Sequence, residues 1–122
     1  MPRFSANLGF MFADRPHVQR IADAAKCGFA AIEMHWPYDV PAAELKAAVD
    51  AAKVTMLGIN APVGDKSRGE NGLTALPGRE ADAAAAFDLA LSYAVALGGT
   101  AVHSLAGVAS GEAAEKTYVK NL

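Results

Sequence analysis

Residues 29–60 read FAAIEMHWPYDVPAAELKAAVDAAKVTMLGIN, a strand, a helix and a second strand in close succession. In residues 29–36 the side chains alternate, with Ile32, Met34 and Trp36 on one face and Ala31, Glu33 and His35 on the other. Pro37 stops this strand. Pro41 opens a helix whose apolar positions Leu45, Ala48, Val49 and Ala52 recur at helical spacing. Residues 54–60 form the next strand, with Leu57 and Ile59 opposite Gly58 and Asn60. Strands joined through a helix run parallel, because a crossover of this length is the connection that parallel pairing requires.

The same unit recurs on both sides. Residues 4–12 form an apolar strand with Phe4, Ala6, Leu8 and Phe10 on one face and Ser5, Asn7 and Gly9 on the other. Asp14 then reads as an N-cap, Pro16 sits in the first helical turn, and Val18, Ile21, Ala22 and Ala25 make an apolar stripe closed by a left-handed Gly28. After residue 60 comes a helix over 79–97, with Phe87, Ala90, Leu91 and Ala94 on one stripe and Gly98-Gly99 at its end. Residues 100–106 are a fourth strand, and Ser110-Gly111 start a helix running to Leu122.

Alternating strands and helices place the chain in the α/β class with a parallel sheet. An open doubly wound sheet and a (β/α)8 (TIM) barrel compete. The faces favour the barrel: one is bulky and apolar, suited to meeting helices, and the other small or polar, suited to an axis where barrel enzymes build sites. No GxGxxG or GxxxxGK[ST] follows a strand, so the nucleotide fingerprints of open sheets are absent. Four strands cannot close a barrel. The chain reads as a half-barrel whose last helix stops at Lys120-Asn121-Leu122 without a cap or exit loop. Either a longer protein continues it, or two copies associate.

Composition narrows the functional classes. The 122 residues are 52% hydrophobic and 20% charged, as expected of one domain over 1–122. A net charge of −2 gives no electrostatic footprint for nucleic acid. No apolar run approaches a membrane span, and MPRFSANLGF lacks the regions of a signal peptide. The single Cys27 forms no internal disulfide, which suits a cytoplasmic setting, and its place near a helix end reads as a buried structural thiol.

The candidate site residues lie on the inward faces. Ser5 and Asn7 read as hydrogen-bonded layer residues, His35 as a surface residue beside Pro37, and Leu105 as an apolar liner. Glu33 needs a partner, because a carboxylate on an inward strand position is costly unless paired. Asn60 and His103 supply groups that orient a hydroxyl or a carbonyl. Residues 60–80, NAPVGDKSRGENGLTALPGRE, are too long for an incidental connection and read as a lid whose glycines 64, 69, 72 and 78 let it open and close. Within it Glu70 and Arg79 are binding candidates. Arg79, at a helix start, is suited to a substrate carboxylate, while Lys66 and Arg68 read as solvated charges. There is no HExxH, cysteine cluster or nucleophile elbow, and His17, His35 and His103 lack ligand spacing, so no metal ligand is assigned.

PRFSANLGFMF, IEMHWPYD, the 60–80 loop and VHSLAGV together resemble the hydroxypyruvate isomerase family, and equally the related 2-oxo-tetronate isomerases; both are xylose isomerase-like barrels. The resemblance covers essentially the whole chain. Its most specific part is GxNGLxALPGRE, with Asn71 where a typical member carries Trp. It implies a TIM barrel of roughly twice this length. It also implies conversion of hydroxypyruvate to tartronate semialdehyde, or of a tetronate analogue. Two Glu residues would pass a proton through an enediolate while a divalent Mg or Mn ion polarises the substrate oxygens. Those Glu residues and metal ligands lie on strands five to eight, outside this sequence, so the chain alone is expected to be inactive. The substrate-binding expectation is Glu33, Asn60, Glu70, Arg79 and His103. A self-associating scaffold module is the alternative, and the superfamily's DNA-repair endonucleases are remote on charge.

Overall fold

Burial beneath helices selects one face of each strand. The computed structural model describes residues 2–122. Its elements are β1 (Ser5–Asn7), α1 (His17–Lys26), β2 (Ala31–Met34), α2 (Ala42–Ala52), β3 (Thr55–Asn60), α3 (Glu80–Leu97), β4 (Ala101–His103) and α4 (Glu112–Asn121), with a 3-10 turn at Lys66–Arg68 between β3 and α3. The four strands form one parallel sheet in the order β1-β2-β3-β4. Strand order that follows chain order, with right-handed crossovers, puts every helix on the same side of the sheet. The helices pack in sequence, α1 on α2, α2 on α3 and α3 on α4. No reversal of strand order occurs, so the sheet is an arc of a barrel and not a doubly wound sheet.

The core lies between the sheet and this layer of helices. Ala6, Ile32, Met34 and Met56 meet Ile21, Ala24, Leu45 and Val49 there. Burying one such aliphatic side chain contributes about 1.5–3 kcal/mol. The small or polar residues Ser5, Asn7, Glu33 and Asn60 are left on the other, concave side, only partly covered. Among the described residues no helix is long and apolar enough to cross a membrane.

Several local expectations are corrected. β1 is short because Asn7 folds the chain over: its Oδ1 accepts from Gly9 N at 2.9 Å, and its carbonyl accepts from Phe10 N and Met11 N. Phe10 is therefore 77% exposed and leaves the apolar row. Asp14 is not the cap of α1. Pro16 holds that position, without a side-chain cap. In β3 the alternation breaks: Ile32 pairs with Met56 but Glu33 pairs with Gly58, so Leu57 is an extra residue in a bulge. In α3 the buried row is Ala83, Ala90, Ala94 and Leu97, with Phe87 half-buried and Leu91 56% exposed. Gly28 and Gly98 end α1 and α3 with positive φ, as the sequence predicts. Cys27 is exposed, because α1 ends at Lys26 and its apolar stripe faces the sheet one turn earlier.

The segment between β3 and α3 is folded. Ala61, Val63, Leu73 and Ala75 are buried, Gly72 N donates to Val63 O at 2.9 Å, and Gly72 bridges Ala106. The four glycines all have positive φ. A Cβ on Gly72 would overlap the Leu105 carbonyl, and one on Gly64 would overlap Glu70, whereas Gly69 and Gly78 have open space. At Gly64 and Gly72 glycine is thus required for a close approach and is not a source of free movement. Gly72→Ala is expected to destabilise the chain by about 3 kcal/mol or more, against about 1 kcal/mol for Gly69→Ala, where only the left-handed backbone is strained. Denaturant midpoints of the two variants measure the difference.

Candidate functional site

Register assembles the site. Pairing sets Asn7 beside Glu33, Glu33 beside Gly58 and Gly58 beside Ala101, one layer across the concave face. One step toward the C-terminal ends, Asn60 pairs with His103, and Asn60 N donates to the His35 carbonyl at 3.1 Å. These layers line a cavity of about 770 Å³, with Asn7, Glu33, His35, Trp36, Asn60 and His103 among its polar or aromatic members. Gly58, without a side chain, leaves the floor open beside Glu33. A second hollow of about 880 Å³ lies at the opposite end of the strands, with Arg3, Phe4, Cys27 and Thr55 in its wall.

Each side chain has a definite support. Glu33 Oε1 accepts from Ser5 Oγ at 2.8 Å, which supplies the partner that its inward position demands. Asn60 Oδ1 lies 3.3 Å from His103 Nδ1. An amide oxygen only accepts, so His103 carries its proton on Nδ1, and its Nε2 is left to accept from a ligand when the ring is neutral. The Asn60 backbone carbonyl accepts separately from the Tyr38 hydroxyl. Burial, with a smaller contribution from Tyr93, pushes that hydroxyl's pKa up, so it donates throughout the physiological range.

His35 is a cavity residue and not a surface residue. Its ring packs edge-on to Phe10 at 4.8 Å and against Trp36 at 5.1 Å, over a Gly9 that has no room for a Cβ. Burial first, then the nearby His103 and Lys66, lowers its pKa, although Glu33 opposes the shift. Trp36 departs from the helix-facing row because β2 ends at Met34. Its Nε1 donates to Ala61 O at 3.1 Å, and Lys66 Nζ sits 3.9 Å from its ring centre. The expected candidates Glu33, Asn60 and His103 are brought together, and Asn7 and His35 join them. Strand alternation puts both on the inward face in the sequence, where Asn7 reads as a layer residue and His35 as a surface one.

Glu70 and Arg79 do not line this cavity. Arg79 Nη1 contacts Glu70 Oε1 and its Nε contacts Asp82 Oδ2, both at 2.5 Å. Glu70 Oε2 also accepts from Asp65 N at 2.7 Å. The guanidinium expected to hold a substrate carboxylate instead holds two carboxylates of its own chain and ties the 60–80 segment to the start of α3. Arg79 lowers the Glu70 pKa, chiefly through this hydrogen bond. Among the described residues no three His, Cys, Asp or Glu side chains come together as a metal site.

Two outcomes follow from these contacts. Glu70→Gln and Arg79→Met should each speed trypsin cleavage after Lys66 and Arg68 several-fold above pH 5, as a local opening would. In the unsubstituted chain the protection should fade only as pH falls through the depressed Glu70 pKa. The two lowered histidines act in the same direction. For His17, burial and Arg20 outweigh Asp39. The unfolded chain thus binds more protons than the folded one just below the ordinary histidine pKa of about 6.5, and stability should fall as pH drops from 7 to 5. His35→Gln should flatten that fall, measured as the thermal midpoint at the two pH values.

The residues have known relatives. The family model described as xylose isomerase-like TIM barrel matches residues 21–122. The 2-oxo-tetronate isomerase of Haemophilus influenzae is 47% identical over the whole chain, which covers 49% of that protein. The 2-oxo-tetronate isomerase of Cupriavidus necator is 44% identical and 48% covered, and the hydroxypyruvate isomerase of Escherichia coli is 37% identical and 49% covered. The crystal structure titled AP endonuclease, family 2, from Brucella melitensis superposes with a TM-score of 0.93 at 37% identity, over 99% of this chain and 48% of that one. The chain spans about half the length of the curated relatives it matches. Four consecutive parallel β/α units with one concave polar face, and a model match over residues 21–122, make this chain a member of the xylose isomerase-like TIM barrel family.

Proposed function

We propose that these residues form the substrate-holding half of a sugar-acid isomerase, which moves a carbonyl between adjacent carbons of a small hydroxy-oxo acid by proton transfer through an enediolate. The observation that carries the reading is identity over the whole chain to relatives named as isomerases of two such acids. Identity is higher to the 2-oxo-tetronate isomerases, 47% and 44%, than to the Escherichia coli hydroxypyruvate isomerase, 37%. A tetronate is therefore the first substrate of the proposal, and hydroxypyruvate with tartronate semialdehyde the second.

In this reading Glu33, held by Ser5, accepts from a substrate hydroxyl, and Asn60 and His103 orient the neighbouring oxygens. Neutral His35 closes one wall against water. Glu70 and Arg79 act at one remove, by holding the 60–80 segment beside the cavity, where it serves as a lid. The proton-transferring carboxylates and any Mg or Mn ligands belong to four further strands that close the barrel at the free edges of β1 and β4. No step is assigned to a metal on the residues present. A cytoplasmic setting belongs to the same proposal. Nucleic acid is disfavoured by the net charge of −2 and by the pairing of Arg15, Lys26, Lys46, Arg79 and Lys116 with carboxylates.

The test is activity in a closed barrel. The 122 residues alone, with Mg²⁺ or Mn²⁺, should isomerise neither acid. Joined to the C-terminal half of the Haemophilus influenzae relative, they should turn over 2-oxo-tetronate with kcat/KM about tenfold above that for hydroxypyruvate. Glu33→Gln in that barrel should lower kcat/KM by about 10–100-fold. Turnover by the isolated chain, or none by the closed barrel, would overturn the proposal.

A further inference from the structure

A small hydroxy-oxo acid carries a carboxylate, and its site needs a cation to receive it. The cavity wall itself offers the wrong charge. Glu33 is acidic, and His35 is held toward its neutral form by burial. Most cations of the chain already have partners. Arg79 is held by Glu70 and Asp82, Arg15 by Asp23, and Arg20 by the carbonyls of Leu8, Ala13 and Arg15. Lys26, Lys46 and Lys116 pair with Asp23, Asp50 and Glu112. Arg3 and Lys53 precede β1 and β3 at the far end of the sheet, and Lys120 is in the last turn of α4. Arg68 acts on Asp65 and Glu70, outside the cavity.

Lys66 remains. Among the described residues it has no carboxylate within 4.0 Å, and neighbouring Asp65 turns its Oδ1 to Ser67 N at 2.9 Å and Ser67 Oγ at 2.6 Å. Its ammonium rests 3.9 Å from the centre of the Trp36 ring, and Trp36 lines the cavity beside His35. A lysine lying on an aromatic face is positioned but incompletely satisfied, since the ring accepts charge without accepting a hydrogen bond. We propose that Lys66 is the group that receives the substrate carboxylate at the cavity mouth, its ammonium passing from the Trp36 face to the incoming anion. The assignment gives Lys66 the role that the sequence suggested for Arg79, and it rests on the hydroxy-oxo acid reading above.

Trp36 is the one tryptophan of the chain, so its emission reports where the Lys66 ammonium lies. The 122-residue chain is titrated with D-glycerate, a hydroxy acid with no carbonyl to isomerise, and with glycerol, which lacks the carboxylate. D-glycerate should give a saturable change in Trp36 emission and glycerol none. Lys66→Met should weaken glycerate binding at least about tenfold, as loss of a charge-assisted contact does, and Lys66→Arg should restore it to within about threefold. Circular dichroism and the thermal midpoint confirm that the variants are folded. Glycerate binding that calorimetry finds unchanged in Lys66→Met, or that leaves Trp36 emission unmoved, overturns the Lys66 assignment alone. Absence of glycerate binding to the unsubstituted chain by either method overturns both that assignment and the hydroxy-acid reading of this half.

Discussion

Everything on the concave face depends on Ile32 and Met34 being buried beneath α1 and α2. Both are essentially inaccessible, so the residues between and after them, Glu33 and His35, have only the opposite side to occupy. Side chains alternate strictly along a strand, and a one-residue slip of β2 would exchange the two sets. The cost of exposing two large aliphatic side chains therefore holds a carboxylate in the cavity. Ser5 on β1 then satisfies that carboxylate from the neighbouring strand.

The bulge at Leu57 extends the same logic to β3. Met56 is buried, and unbroken alternation from it would bury Gly58 and Asn60 and turn Ile59 toward the cavity. The extra residue resets the phase, so Ile59 is buried, Gly58 lies beside Glu33 and Asn60 faces inward to His103. One irregular residue thus satisfies the core and the site together. This is a common use of a bulge next to a functional surface.

The 60–80 segment is held by a different kind of force. Its apolar residues Val63, Leu73 and Ala75 are buried, and Gly72 permits a backbone approach to Leu105 and Gly107 that a side chain would block. Charge completes it: Arg79 joins Glu70 and Asp82, and Asp65 caps the 3-10 turn by accepting from Ser67 N. Because these charges satisfy one another, the segment's electrostatic contribution to the cavity falls to Lys66 on its stacked perch over Trp36.

The sequence alone determined the order of elements, the parallel sheet, the helix ends at Gly28 and Gly98, and the inward direction of Glu33, Asn60 and His103. Those features depend on local periodicity and on residues with restricted backbone preferences, which a single chain displays directly. Tertiary structure decided the rest. The Leu57 bulge and the turn of Trp36 into the cavity wall arise from pairing and hydrogen bonds between segments distant in sequence. The pairing of Arg79 with Glu70 and Asp82 and the seat of Lys66 on Trp36 are hidden in the sequence for the same reason. Whether a surface cation is free or paired depends on which carboxylates the fold brings near it, and charge spacing along the chain does not encode that.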